Sequence, residues 1–151
     1  MYIIEFDKSL TEESVDLFTD VFSKPPWNDI FESKEPVIHF FRAFIDLPNF
    51  KGYQLCDDNH KVIGISIGFI KPWLKNDELR YEYFLDQYCI DHKLQRRGLG
   101  EYFMKGIEKR LKQENINDII LNTGLSSPAC KFYIKMGFQD MKEYGFLSKE
   151  L

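Results

Sequence analysis

The chain has 151 residues, a length that suits one domain over 1–151, and its 44% hydrophobic and 29% charged content is globular rather than disordered. A net charge of −4 argues against the basic stripe of a nucleic-acid binder and mildly favours a cationic partner such as an amine. Three cysteines (Cys56, Cys89 and Cys130) without metal-like spacing, and no apolar run of the ~18–20 residues that span a bilayer, predict a reduced, soluble, cytoplasmic protein off the membrane.

Residues 2–6 alternate weakly and read as a first strand. Ser9-Leu10-Thr11-Glu12 has the form of a capping box, after which Val15, Leu17, Phe18, Val21 and Phe22 recur at helical spacing. Lys24-Pro25-Pro26-Trp27 stops that helix. Pro36 suits the first turn of a second helix, with Val37, Phe40, Phe41, Phe44 and Ile45 on its apolar face. Residues 53–56 and 61–70 read as strands joined at Asp57-Asp58-Asn59-His60, a hairpin. A loop is expected at 72–77, then a long strand rich in Tyr and Phe at 79–90.

From Gly98 to about Glu114 the spacing of Leu99, Phe103, Met104, Ile107 and Leu111 predicts a helix. A short buried strand follows at 118–123, and a helix at 128–136 is closed by Gly137. Residues 138–147 are expected to supply one or two final strands. Helices alternate with strands in the second half, so an α/β mixed sheet covered on both faces is predicted.

The sharpest chemical signal is Gln95-Arg96-Arg97-Gly98-Leu99-Gly100, running from a strand end into a helix start. Two glycines one residue apart let successive N–H groups point inward at a helix N-terminus, a concavity suited to a pyrophosphate. Arg96 and Arg97 add charge-assisted donors. Other phosphate loops fit worse. A P-loop needs Lys and Ser or Thr after its last Gly, where Glu101 and Tyr102 stand, and a dinucleotide fingerprint needs Gly where Phe103 stands. Gly64-Ile65-Ser66-Ile67-Gly68 has the spacing of a hydrolase elbow, but its apolar run continues as a strand past the second Gly.

Gln95-x-x-Gly98-x-Gly100 resembles the acetyl-CoA signature of the GNAT family of N-acetyltransferases, written Q/R-x-x-G-x-G/A. Ala129-x-x-Phe132-Tyr133-x-Lys135-x-Gly137-Phe138 is similar to a second segment of that family, one helix and one strand later. The resemblance implies a central, mostly antiparallel sheet of six to seven strands flanked by about four helices, with acetyl-CoA as acyl donor and no metal. It implies that Tyr88, Cys89 and Ile90 present backbone to the pantetheine arm and the thioester carbonyl. Gln95, Arg96, Arg97, Gly98, Leu99, Gly100 and Glu101 would hold the pyrophosphate. Ser126 stands where many relatives have an Asn against the pantetheine, and His92 where many have Pro. Tyr133 falls where the family places a phenol that protonates the leaving thiolate, although its helical face also suits the core.

A general base is less evident. Gln87 stands where some relatives have Glu, and glutamine cannot accept the proton. Asp86 and Glu82 are the nearby carboxylates, and period-2 alternation puts both on the face opposite Gln87. His92 at a strand–loop junction reads as solvated, and His39, His60 and His92 are too scattered in sequence to suggest a metal site. Trp27 and Trp73 lie on expected loops of the kind that wall the acceptor site, and Pro25-Pro26-Trp27 is similar to a segment of aminoglycoside-like small-molecule acetyltransferases. The implied function is acetyl transfer to a primary amine of a small molecule or peptide by direct attack, by a monomer or homodimer. A non-catalytic acyl-CoA sensor or scaffold is the alternative.

Overall fold

The computed structural model describes residues 1–151, which divide into two units, Met1–Leu121 and Asn122–Leu151. In the first unit the order is β1 (Tyr2–Glu5), α1 (Thr11–Phe22), α2 (Glu35–Ile45), β2 (Phe50–Cys56), β3 (Val62–Lys75), β4 (Glu78–Ile90), α3 (Leu99–Gln113) and β5 (Asp118–Leu121). One sheet runs in the order β1-β2-β3-β4-β5, antiparallel except for the parallel pair β4–β5. No helix is long and apolar enough to cross a membrane.

Both sheet faces are covered. Ile65, Ile67 and Cys89 join Val15, Phe18, Val37 and Phe41 of α1 and α2 in one buried cluster. Phe41 and Val15 are fully buried there, and each such side chain contributes about 1.5–3 kcal/mol relative to exposure. On the other face α3 lies close against β1. A Cβ at Gly106 would come within 2.1 Å of Ile3 Cδ1, so any larger residue there would make the Ile3 side chain give way. Arg110 donates to the Ile3 carbonyl oxygen at 2.8 Å.

Several local expectations change. Leu10 precedes α1 without a side-chain cap. Asp7, rather than Ser9, supplies the accepting carboxylate, taking both the N–H and the hydroxyl of Ser9 over a 3-10 turn at Lys8–Leu10. The stretch 72–77 is mostly strand: β3 runs on to Lys75, pairs Pro72 with Tyr81, and turns only at Asn76 and Asp77, which take φ of 52° and 63°. Cross-strand pairing with β4 overrides the turn propensity of Pro72, which a strand at the sheet margin tolerates. The strand β5 is half-buried rather than buried.

In the second unit α4 (Pro128–Lys135) starts under Ser127, whose hydroxyl accepts the Cys130 N–H at 3.1 Å. Gly137 follows it with φ of 93°, the left-handed exit expected after a helix. No strand forms over 138–147, so the sheet has five strands and not six to seven. Phe146 and Leu147 are exposed, and without a hydrogen-bonded neighbour their apolar content builds no ladder.

Candidate functional site

The site is built where β4 ends and α3 begins. Asp91 caps the 3-10 turn His92–Leu94, accepting the Lys93 N–H at 2.9 Å. Gln95 donates its side-chain amide to the Ile90 carbonyl oxygen at 3.1 Å, closing the loop onto the strand. Arg96 takes φ of 60° and Gly98 φ of 79°, and the chain enters α3 directly from that left-handed glycine. Arg96, Arg97 and Gly98 are exposed, while Leu99, Gly100 and Glu101 are half-buried. Glu101 pairs with Lys105 at 2.7 Å.

Two observations fit this loop to an anionic group. No side chain caps the start of α3, in contrast to Ser127 at α4, and a Cβ placed on Gly98 meets nothing within 4 Å. An uncapped helix N-terminus facing open space carries orphan N–H donors and the positive end of the helix dipole. Gln95 through Glu101 are the residues that could hold a pyrophosphate, with Arg96 and Arg97 as exposed cationic flanks.

Beside the loop, β4 leaves its parallel neighbour. Pairing of β4 with β5 ends at Leu85 and Leu121, whereas β4 continues to Ile90. Residues 86–90, including Tyr88, Cys89 and Ile90, therefore present one backbone edge with no strand beside it. Cys89 and Ile90 are buried and Tyr88 half-buried. Burial, and then the charge of Asp91, push the Cys89 thiol well above its ordinary value, which disfavours the thiolate that a nucleophile needs.

The carboxylates are rearranged by a bulge. Ile67 pairs with Gln87 but Gly68 pairs with Leu85, so Asp86 is an extra residue in β4. A Cβ at Gly68 would lie 2.0 Å from the Phe84 carbonyl oxygen, which makes glycine obligatory opposite the bulge. The bulge reverses the alternation beyond it. Lys71 pairs with Glu82 and Phe69 with Phe84, so Glu82 and Phe84 share the α1–α2 face with Gln87. Asp86 is not set apart from Gln87 either: its Oδ2 accepts the Gln87 amide at 3.0 Å. Glu82 is buried and Asp86 half-buried.

Of the tryptophans, Trp27 stands after α1, 41% exposed, with its ring 5.6 Å from that of Phe22. Trp73 is on a strand rather than a loop, paired with Arg80, with Lys71 Nζ 5.5 Å from its ring. In the second unit Tyr133 is half-buried between Phe132 and Phe138, at ring distances of 5.3 and 5.4 Å, and Ser126 is exposed. His92 is half-buried rather than freely solvated. Its Nδ1 lies 2.7 Å from Asp20 Oδ2 and 3.9 Å from Asp91 Oδ1, a contact between distant segments that no local pattern announces.

The model of the acetyltransferase (GNAT) family matches residues 10–138, across both units. The chain belongs to the GNAT family. Acetyl-CoA is the co-substrate of GNAT acetyltransferases, and the uncapped glycine loop lies inside the matched range. The GNAT fold also recurs in solved structures. A mutant of the BH1408 protein from Bacillus halodurans is 23% identical, with a TM-score of 0.75 over 99% of this chain and 100% of that one. An aminoglycoside 6'-N-acetyltransferase from Acinetobacter haemolyticus is 15% identical, with a TM-score of 0.74 over 100% of this chain and 99% of its own. An aminoglycoside acetyltransferase from an uncultured soil metagenomic sample, solved with trehalose, is 14% identical with a TM-score of 0.71, covering 99% and 95%. Among curated proteins none matches the sequence significantly.

Proposed function

We propose that the chain acts as a single N-acetyltransferase domain over 1–151 that moves an acetyl group from acetyl-CoA to a primary amine by direct attack. The observation that carries this reading is the uncapped start of α3 at left-handed Gly98, next to the unpaired edge of β4. Acetyl-CoA supplies an acetyl thioester, whose C–S bond breaks as the amine nitrogen bonds the carbonyl carbon.

The chain's own groups take the following parts. N–H groups of Gln95 through Glu101, with Arg96 and Arg97, bind the pyrophosphate. Backbone N–H at Tyr88, Cys89 and Ile90 lines the pantetheine arm and polarises the carbonyl, where one oxyanion donor is worth about 3 kcal/mol. Asp86, aided by its place in the bulge, receives the proton shed by the amine through water, and Gln87 holds its carboxylate by the 3.0 Å hydrogen bond. Tyr133 protonates the departing thiolate, an assignment that rests on the Phe132-Tyr133…Gly137-Phe138 segment. Ser126 is assigned to the pantetheine, and Trp27 and Trp73 to the acceptor wall. The aminoglycoside enzymes among the structural neighbours make a small polyamine the first acceptor class to try.

The deciding experiment mixes the protein with acetyl-CoA and a panel of amines and measures free thiol. Amine-dependent release supports the transferase. Tight coenzyme binding without release identifies an acyl-CoA sensor, and absence of both overturns the reading.

A further inference from the structure

We infer that His92 and Asp20 form a positioning pair that latches the coenzyme loop to the last turn of α1; this rests on the coenzyme site proposed above. His92 opens the 3-10 turn that leads into Gln95–Gly98, so whatever holds its ring holds the entry to that loop. Its Nδ1 is shielded from solvent and lies 2.7 Å from Asp20 Oδ2, yet it has no in-line hydrogen-bond partner. The carboxylate oxygen is nonetheless at contact distance from the ring nitrogen, close enough to fix where the ring sits.

The neighbouring charges favour Asp20 as the partner. Asp91, 3.9 Å from the ring, already accepts the Lys93 N–H. Burial opposes the charged form of Asp20, but Lys24 at 3.4 Å and His92 hold its carboxyl below the usual range. Asp20 thus stands as a carboxylate facing His92, Lys24 and Asp91.

That turn of α1 also carries the loop of Trp27. The N–H groups of Trp27 and Asn28 bond the Lys24 carbonyl oxygen at 3.1 and 3.0 Å, and Asp29 N–H bonds that of Phe22 at 2.9 Å. A single contact thereby joins the segment that receives the coenzyme phosphates to the segment that bears the acceptor-wall tryptophan. Because coupling is reciprocal, ordering one segment favours the other.

Calorimetry with coenzyme A tests the latch on the full chain as Asp20→Asn, His92→Gln and the double variant. Each single change is expected to raise the coenzyme A Kd about 3–30-fold, and the double variant to be no weaker than the weaker single, since the pair acts as a unit. The acceptor KM should rise in the same variants while kcat at saturation stays near wild type. Melting temperatures without ligand should move by no more than about 4 °C, because the contact is partly exposed. A merely structural role would lower the melting temperature and leave Kd alone. Unchanged Kd in folded variants, or strictly additive effects, overturns the latch while leaving the transferase reading intact. A wild-type protein that binds no coenzyme A overturns both.

Discussion

Tyr88 donates its phenolic hydrogen to the Gly100 carbonyl oxygen at 2.6 Å while its ring stacks on Phe103 at 5.4 Å. One side chain thus joins the end of β4 that extends past β5 to the first turn of α3, the two parts that make the candidate site. Tyr88→Phe keeps the stack and removes only the hydroxyl. Stability by urea unfolding should fall by about 1 kcal/mol, and coenzyme A affinity by calorimetry should fall with it.

Gly98 and Gly100 separate conformation from charge. Gly98→Ala meets open space, so its cost is the left-handed backbone alone, about 1–2 kcal/mol by denaturant unfolding. Gly100→Asp puts a carboxylate at a helix start, which the dipole favours, so the fold should persist while coenzyme A binding is lost. Unchanged affinity in the folded aspartate variant refutes the phosphate loop.

Cysteine chemistry should be dispensable. Cys89 is buried with its thiol proton retained, and Cys130 is half-buried at the start of α4. The double variant Cys89→Ala, Cys130→Ala is expected to keep substantial turnover in the thiol-release assay. A folded but inactive double variant points instead to a covalent thiol mechanism.

Alkaline pH should destabilise the fold. Burial is the main cause that raises both the Cys89 thiol and the Tyr53 phenol, and Glu114 adds to the latter. Unfolded, these groups ionise at their ordinary values of about 8.5 and 10, while the folded chain keeps both protons. Their contribution is full below about pH 8.5 and is lost as pH rises, by up to about 1.4 kcal/mol per unit for each ionised group. Urea unfolding between pH 7 and 11 reads the slope, and Cys89→Ala should reduce its first part, to which the raised Cys56 thiol also contributes.

Tyr133→Phe tests the acid. The ring and its contacts with Phe132 and Phe138 remain, so the fold should hold. Loss of a general acid lowers kcat about 10²–10⁴-fold with coenzyme affinity little changed. A kcat within a few-fold of wild type assigns Tyr133 to packing and leaves the thiolate to solvent.

The helices and most strands were legible because their signals are local. The spacing of Phe103, Met104, Ile107 and Leu111 declares one buried face of α3, and two glycines one residue apart declare an open helix start, whatever the rest of the chain does. Tertiary structure alone decided where strands met partners. Turn-prone residues 72–77 became the end of a long hairpin because β4 pairs there, and the apolar residues of 138–147 formed no ladder. The extra residue at Asp86 exists only relative to β3, and it brings Glu82 onto the face of Gln87 and Asp86 into hydrogen-bond contact with Gln87 against simple alternation. The contact of His92 with Asp20 likewise required α1 and the loop after β4 to be folded onto the same sheet. Periodicity is set within a turn or two of chain, whereas register, bulges and ion pairs between distant segments are set by the neighbour each segment finds.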